Sequence, residues 1–400
     1  MRIVIAYESL VDYAGTETYV LTIARQLLAV GHDVVVHART LGPMADFMRS
    51  EKIVVTDASD ELPEACDAVL VQDAASAYEM RDRYPHAVSL CAVHSRGFAL
   101  SVPPQLDGIC AAVVVFNDRV RRFVEQTAWH APIVRMRQPI ELKRFGALGL
   151  QPTQLRRALV LSNYLRGPQA QLLQDACRSA GVELVQVGAL GTPMARPEHA
   201  IADADMVFGL GRSILEAMAG RRAAYVYGVG AVDGWVTPDN YAALEADGFA
   251  GQVSGDVPGL ERLAGDLRHW SPQMGVENRV LASRHAISDH VDELLTLIRD
   301  LGPPKPVPVT RHQELARLVR LEWDAQNRLR DVVEENRMLR ARVEDLRREV
   351  TDARRAFADR DEALSALLAT RRFRLASRLA APFERARAML RRVTKGPRRS

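Results

Sequence analysis

The chain has 400 residues, 48% of them hydrophobic, ample for two packed domains and an extension. No apolar run is as long as a membrane span, and Cys66, Cys91, Cys110 and Cys177 lie too far apart for a disulfide framework or a zinc site; Cys91 with His94 supplies two ligands at most. Net charge is +3 but uneven: residues 301–400 hold 25 Lys and Arg against 14 Asp and Glu, a surplus of 11, which leaves −8 for the first 300. An acidic body with a basic tail is expected. It is read as cytoplasmic, because Met1-Arg-Ile-Val-Ile enters a strand directly rather than a secretory leader.

In chain order, Arg2 to Tyr7 is apolar and predicts a strand. A helix from Thr16 to Val30 follows, with Val20, Leu21, Ile23, Ala24, Leu27 and Leu28 on one face, and Asp33 to His37 is the next strand. Asp67 to Gln72, Ala87 to Val93 and Ala111 to Phe116 repeat the alternation. Such a pattern makes a parallel sheet covered by helices, with ligands at the carboxyl ends of the strands. Two of those ends carry chemistry. Ala14-Gly15-Thr16-Glu17 opens the first helix and reads either as an N-cap by Thr16, with Gly15 easing the turn, or as backbone that meets a ligand. His94, ahead of Ser95-Arg96-Gly97, is either a satisfied structural histidine or a site residue.

The alternation restarts after Gly146 to Pro152, a loop-like boundary dividing the chain into domains 1–150 and 151–301. Arg157 to Ser162 predicts a strand, Gln169 to Ala180 a helix and Val182 to Val187 a strand. In Asn163-Tyr-Leu-Arg166-Gly167, Arg166 is either solvated or a bidentate phosphate ligand. Then comes Asp205 to Pro238: a strand, Gly209-Leu-Gly211, a helix with Ile214, Leu215 and Met218 at helical spacing, and a strand from Ala223 to Tyr227. The glycines allow close approach of a ligand and the helix N-terminus favours an anion, while Glu216, one turn inside, is placed to accept from ribose hydroxyls. A purely structural βαβ unit competes with this reading, as does a dinucleotide fingerprint, which would need a third glycine where Ile214 stands. Asp233 to Pro238 reads as a surface turn, or as an aromatic rim with Trp235 against a nucleotide. Val280 to Asp300 predicts one amphipathic helix, with Ile287, Val291, Leu294, Leu295 and Ile298 on its apolar side.

The run Gly211-Arg-Ser-Ile-Leu-Glu216-Ala-Met-Ala-Gly220 resembles the donor motif of nucleotide-sugar glycosyltransferases of the GT-B fold, chiefly the large retaining family. There the motif is a Glu, seven residues, a second Glu, then Ala-x-Ala and a glycine. Glu216 matches the second Glu, which the resemblance assigns to the nucleotide ribose, and the first falls on Phe208. The Ala14 to Glu17 loop is similar to a Gly-Gly-x-Glu loop that meets the donor; His94 stands where relatives carry a histidine facing the sugar; Arg166 stands against the diphosphate, without the usual companion lysine. Val113 to Phe145 is similar to the run into the interdomain linker, with Gln138-Pro139 in place of Asn-Gly, and Arg284-His285 begins a stripe similar to the last helix that crosses back over the first domain. The resemblance implies an α/β protein of two Rossmann-like domains. Its site would comprise His94 and Glu17 on the catalytic side and Gly15, Arg166, Gly211, Ser213 and Glu216 around the donor. No metal or cofactor is implied, since Arg and a helix N-terminus neutralise the leaving diphosphate.

Gly302 to Thr310 is proline-rich and predicts a stiff linker. Heptads counted from Leu315 place Leu315, Glu322, Leu329, Asn336, Val343, Val350, Phe357 and Leu364 at a, and Leu318, Ala325, Val332, Leu339, Leu346, Ala353, Arg360 and Leu367 at d. Residues 311–369 are therefore expected as a long coiled-coil helix, a parallel homodimer because Asn336 is satisfied by a partner Asn in register; a single helix laid along the body is the alternative. Residues 370–400 form a basic amphipathic tail, with 11 basic residues from Arg371 on against Glu384, and Phe373, Leu375, Leu379, Phe383, Ala386 and Leu390 between them. An anionic membrane surface suits that pattern, with another protein or a merely solvated tail as the alternative. Nucleic acid does not, since a zipper-type reader carries its basic region ahead of the coil.

These readings point to a glycosyltransferase that moves a sugar from a nucleotide-sugar to a glycan or lipid-linked acceptor in bacterial surface polysaccharide synthesis, peripheral to the cytoplasmic membrane. A non-catalytic scaffold that organises partners through its coil, and a nucleotide-sugar epimerase of the same fold, stay open beside it.

Overall fold

The computed structural model describes residues 1–127, 129–146, 151–188, 194–255, 258–301 and 311–393. The linker 302–310, part of the expected boundary at 146–152 and the end of the basic tail lie outside them. The chain forms two compact units, Met1–Gln326 and Asn327 onward.

In the first unit, β1 (Arg2–Leu10), β2 (Asp33–Leu41), β3 (Val54–Thr56), β4 (Ala68–Val71), β5 (Val88–Val93), β6 (Ala112–Val115) and β7 (Ile133–Arg135) make one parallel sheet in the order β3-β2-β1-β4-β5-β6-β7. A second sheet follows from β8 (Arg157–Leu161), β9 (Glu183–Val187), β10 (Met206–Gly209), β11 (Ala223–Gly228) and β12 (Ala231–Trp235), ordered β12-β11-β10-β8-β9 and parallel except for β12. Central strands such as β4 and β5 are buried at every position because helices cover both faces, so they read as continuous apolar runs. One face of the first sheet packs Ile3, Ile5, Val36, Leu70 and Val114 against the helices Gly15–Ala29 and Ile287–Leu301. The other packs Val4, Ala6, Val69 and Val113 against the helix Ala74–Arg83 and Ala316.

Strand order reverses once in each sheet, between β1 and β4 and between β8 and β10. At such a reversal a crevice opens outside the carboxyl ends of the strands. The chain passes between the two sheets twice, and the passages are paired: the Ile140 N–H donates to the His285 carbonyl (2.8 Å) and the Ile287 N–H to the Ile140 carbonyl (3.1 Å).

Four expectations are corrected. The first helix begins at Gly15 with Ala14 as its N-cap and no side-chain cap, so Thr16 is not the cap. The single helix expected over Val280 to Asp300 is two, Pro272–Ala282 and Ile287–Leu301, interrupted at Ser283–His285 where the chain crosses back. Asp233-Gly234-Trp235 is no turn but part of the edge strand β12. Gly230, at φ +64°, turns the hairpin, and Trp235 packs edge-on against Tyr225 with ring centroids 5.0 Å apart.

The fourth correction concerns the long helix His312–Ala369, whose first turns dock on the first sheet instead of starting a coil. His312 is buried against Asp82 (2.5 Å) and stacks on Tyr78, Ala316 is fully buried, and Trp323 meets Phe98 edge-on. Arg320 donates to both oxygens of Glu8 and of Glu79 (2.6–3.0 Å), and the Ala99 N–H donates to Gln326 Oε1 (2.9 Å). At 3.6 residues per turn, 312, 316, 319 and 323 share a face about 100° from the a and d stripe; Leu315 at a packs beside them, while Leu318 and Leu321 stay half exposed. A second helix, Arg371–Val393, follows with Pro382 inside it. Among the described residues no helix is long and apolar enough to cross a membrane.

Candidate functional site

The sequence-predicted residues fall at the two reversals. Gly15 and Glu17 follow β1, Arg166 follows β8, and Gly211, Ser213 and Glu216 follow β10; His94 ends β5, two strands from β1. Arg166 is exposed at the turn into the helix Pro168–Ser179.

On the second-sheet side, Gly211 caps the helix Arg212–Ala219 at φ +60°, a conformation that excludes a Cβ without strain. Its N–H is not open to a ligand, because it donates to the Phe249 carbonyl (2.9 Å). The Ser213 hydroxyl likewise donates to the Leu210 carbonyl (2.8 Å). Glu216 is buried, and Arg212 Nε donates to its Oε1 (2.9 Å). Burial pushes the Glu216 carboxyl above its ordinary range, while the charges of Arg212 and Arg144 act against that shift. Phe208 lies inside β10, fully buried against Tyr225 and Tyr227, so the position that the donor motif gives its first carboxylate belongs here to the sheet core.

Arg212 is the residue that sequence reasoning passed over. Besides Glu216, it donates through Nη1 to the Pro139 carbonyl (3.0 Å) and through Nη2 to Thr22 Oγ1 (2.9 Å). One buried guanidinium thus joins the motif helix, the interdomain passage and the first helix of the other half. The signal was present in the spacing, since Arg212 and Glu216 are four apart and share a helix face.

Across the cleft, His94 donates from Nε2 to Gln72 Oε1 (2.8 Å); Gln72 uses its own amide N–H on the Leu70 carbonyl, which settles the direction. The ring packs between Tyr19 and Phe116. Burial first, then the charge of Arg212, lowers its pKa to about 3, so it is neutral at ordinary pH with Nδ1 as an acceptor. Glu17, in the first turn of its helix, is 7% exposed. Among the described residues its carboxyl has no partner except its own N–H, and burial raises it to about 7. A Cβ built on Gly15 would meet nothing within 4 Å, so this rim is open.

Two more histidines pin the passages. His285 donates from Nδ1 to the Gln138 carbonyl (2.8 Å) and accepts from Tyr241, and His290 donates to the Arg137 carbonyl (3.0 Å) and accepts from Tyr19. Each has both nitrogens satisfied only when neutral, and burial holds both near 4. Arg119 and Arg135 add ion pairs to Asp247 and Glu245. A cavity lined by Phe116, Asn117, Arg212, Gly248 and His285 among others measures about 40 Å³. That admits water but not a nucleotide, whose pockets run to at least about 300 Å³.

No protein-family model matches the chain, and no curated protein matches it significantly in sequence. Solved structures do. A glycosyltransferase from Rickettsia africae is 12% identical over 75% of this chain and 98% of its own, with a TM-score of 0.49. HepE of Anabaena, in complex with UDP and glucose, is 10% identical over 75% of this chain and all of its own, with a TM-score of 0.51. In fold, then, the chain resembles the GT-B glycosyltransferases: two parallel-dominated sheets covered by helices, here followed by a long C-terminal helix.

Proposed function

We propose that this chain is a metal-independent glycosyltransferase, taking a sugar from a nucleotide-sugar and passing it to a glycan or lipid-linked acceptor in bacterial surface polysaccharide synthesis. The observation that carries the reading is a convergence at the two strand-order reversals. Gly211 and Glu216 follow β10 and the buried carboxyl of Glu17 follows β1, while the neutral imidazole of His94, at the end of β5, feels the charge of Arg212, the partner of Glu216; this placement supports one cleft.

In this reading Glu216 keeps Oε1 on Arg212 and offers Oε2 to the ribose, while Arg166 and the start of the Arg212 helix meet the diphosphate. His94 is too weak a base to take a proton, so it accepts a sugar hydroxyl at Nδ1. Glu17, which exchanges its proton near neutrality, is suited to receive the one an acceptor hydroxyl loses. The halves part at the paired passages to admit the donor, because the enclosed cavity is too small for it. The basic tail from Arg371 on holds the protein to an anionic membrane surface, where lipid-linked acceptors lie, and the long helix assembles it into a homodimer.

The test is thermal unfolding of the full chain with UDP, GDP, dTDP and their sugars. One nucleotide should stabilise the first unit by about 3 kcal/mol at a hundredfold its dissociation constant, and Glu216→Ala should remove that gain. If none stabilises it, a non-catalytic scaffold becomes the better reading. Two features favour that alternative: Phe208 in the sheet core and the internal pairing of Glu216 with Arg212.

A further inference from the structure

We propose that residues 329–367 pair with a second copy of this chain as a parallel, in-register, two-stranded coiled coil. This gives the assembly named above its partner, orientation and register, and it rests on no statement about the cleft. From Asn327 on the helix belongs to the second unit, where Leu329, Val332, Leu339, Val343, Leu346, Val350 and Phe357 are 43–74% exposed. They recur with a period of 3.5 residues, the spacing that keeps one stripe facing a supercoiled neighbour, whereas a lone straight helix has no use for it.

Three observations favour a second copy as the occupant. Asn336 stands at an a position amid this stripe, and its Nδ2 donates to the Val332 carbonyl (2.9 Å), which leaves Oδ1 and one N–H for a neighbour. An apolar groove on another protein would leave that amide unpaired, while an identical Asn in register completes it. The flanking charges then set the direction. Arg340, Arg347 and Arg354 occupy e, and Glu335, Arg342 and Glu349 occupy g. In a parallel pair each g side chain meets e of the following heptad on the other strand, so Glu335 faces the partner's Arg340 and Glu349 faces the partner's Arg354, against one repulsive contact from Arg342 to the partner's Arg347. An antiparallel pair would set e against e, arginine against arginine.

The third observation is one of phase. The turns that dock the base of the helix, through His312, Ala316, Val319 and Trp323, lie on its e and b flank and end at Gln326, ahead of the stripe that begins at Leu329. Pairing therefore leaves the docked turns in place.

The test uses the full chain. Sedimentation velocity and light scattering should report a mass of two chains. Leu339→Lys with Val343→Lys should return it to one chain while the first unit melts as before. In a Cys66→Ser background, which removes the one native thiol among the four that is not buried, Asn336→Cys should give a covalent dimer on mild oxidation. A single chain at every concentration overturns the proposal. So does a dimer that survives the two lysines, an assembly of three or four chains, or a dimer that fails to link through position 336.

Discussion

The two sides of the cleft differ in how far the chain satisfies its own polar groups. On the second-sheet side the motif groups have partners: Glu216 Oε1 in Arg212, the Gly211 N–H in Phe249, the Ser213 hydroxyl in Leu210. On the first-sheet side Glu17 is buried with only its own N–H, and among the described residues nothing donates to His94 Nδ1. An unpartnered buried carboxyl weakens a fold, and such groups persist where a ligand completes them. On the proposed reading the second side is the frame on which the donor rests, and the first holds the reactive groups. Four substitutions can break or sharpen that contrast.

Arg212→Met tests the frame and carries the largest expected effect. It leaves Glu216 buried with the more distant Arg144 as its remaining cation, and should destabilise the first unit by about 3 kcal/mol at neutral pH. The sign of the pH dependence follows. Burial raises the folded-state pKa of Glu216, and losing Arg212 raises it further, so the deficit should be widest at alkaline pH and shrink as acid protonates the carboxyl. Unfolding curves taken from pH 5 to 9 check this; a deficit that ignores pH would mean that Arg212 acts by packing alone.

Glu17→Gln tests the reactive side and should have the opposite sign. The carboxyl titrates at about 7 in the fold and at 4.5 when unfolded. Above pH 7 it is ionised in both states and the fold bears the burial penalty. Between 7 and 4.5 the folded state takes up a proton that the unfolded one does not, so stability rises on acidification and the gain is complete below 4.5. Glutamine is neutral throughout. The variant should exceed the parent by on the order of 2 kcal/mol above pH 7 and match it below 4.5, at the expense of transfer activity. His285 and His290 act the other way, losing stability as pH falls from 6.5 through about 4, but they are common to both proteins and cancel in the difference. Equal stability of the two proteins at pH 8 would show that Glu17 is hydrated.

The contrast itself was only partly legible in the sequence. Alternating apolar runs such as Ala87 to Val93 announce a parallel sheet because both faces are buried, and the strand-end positions of Gly15, His94, Arg166 and Glu216 follow from it. What the pattern could not carry was partnership between distant segments. Arg212 looks like any exposed helical arginine until Thr22 and the Pro139 carbonyl come beside it. Trp235 looks like a turn residue until Tyr225 covers it. The docked base of the long helix fits a heptad count equally well, since its inward face is set by distant partners such as Glu8 and Glu79 for Arg320 and Asp82 for His312.

Glycine replacement gives the smallest effect and the most direct comparison of the two rims. At Gly211, φ is +60° and a Cβ has room, its nearest contact being the Gly248 carbonyl at 3.8 Å, so alanine meets backbone strain of about 1 kcal/mol without a clash. At Gly15, φ is ordinary and the space is empty, and alanine in the first turn of a helix should be neutral or stabilising by up to about 1 kcal/mol. Melting should therefore rank Gly15→Ala at or above the parent and Gly211→Ala below it. Nucleotide binding should rank them differently. On the proposed reading a methyl group at Gly15 stands on the rim that a donor's phosphates approach, so Gly15→Ala should weaken nucleotide binding although it leaves the fold intact. If binding instead follows melting, the open rim is plain surface and takes no part in holding a donor.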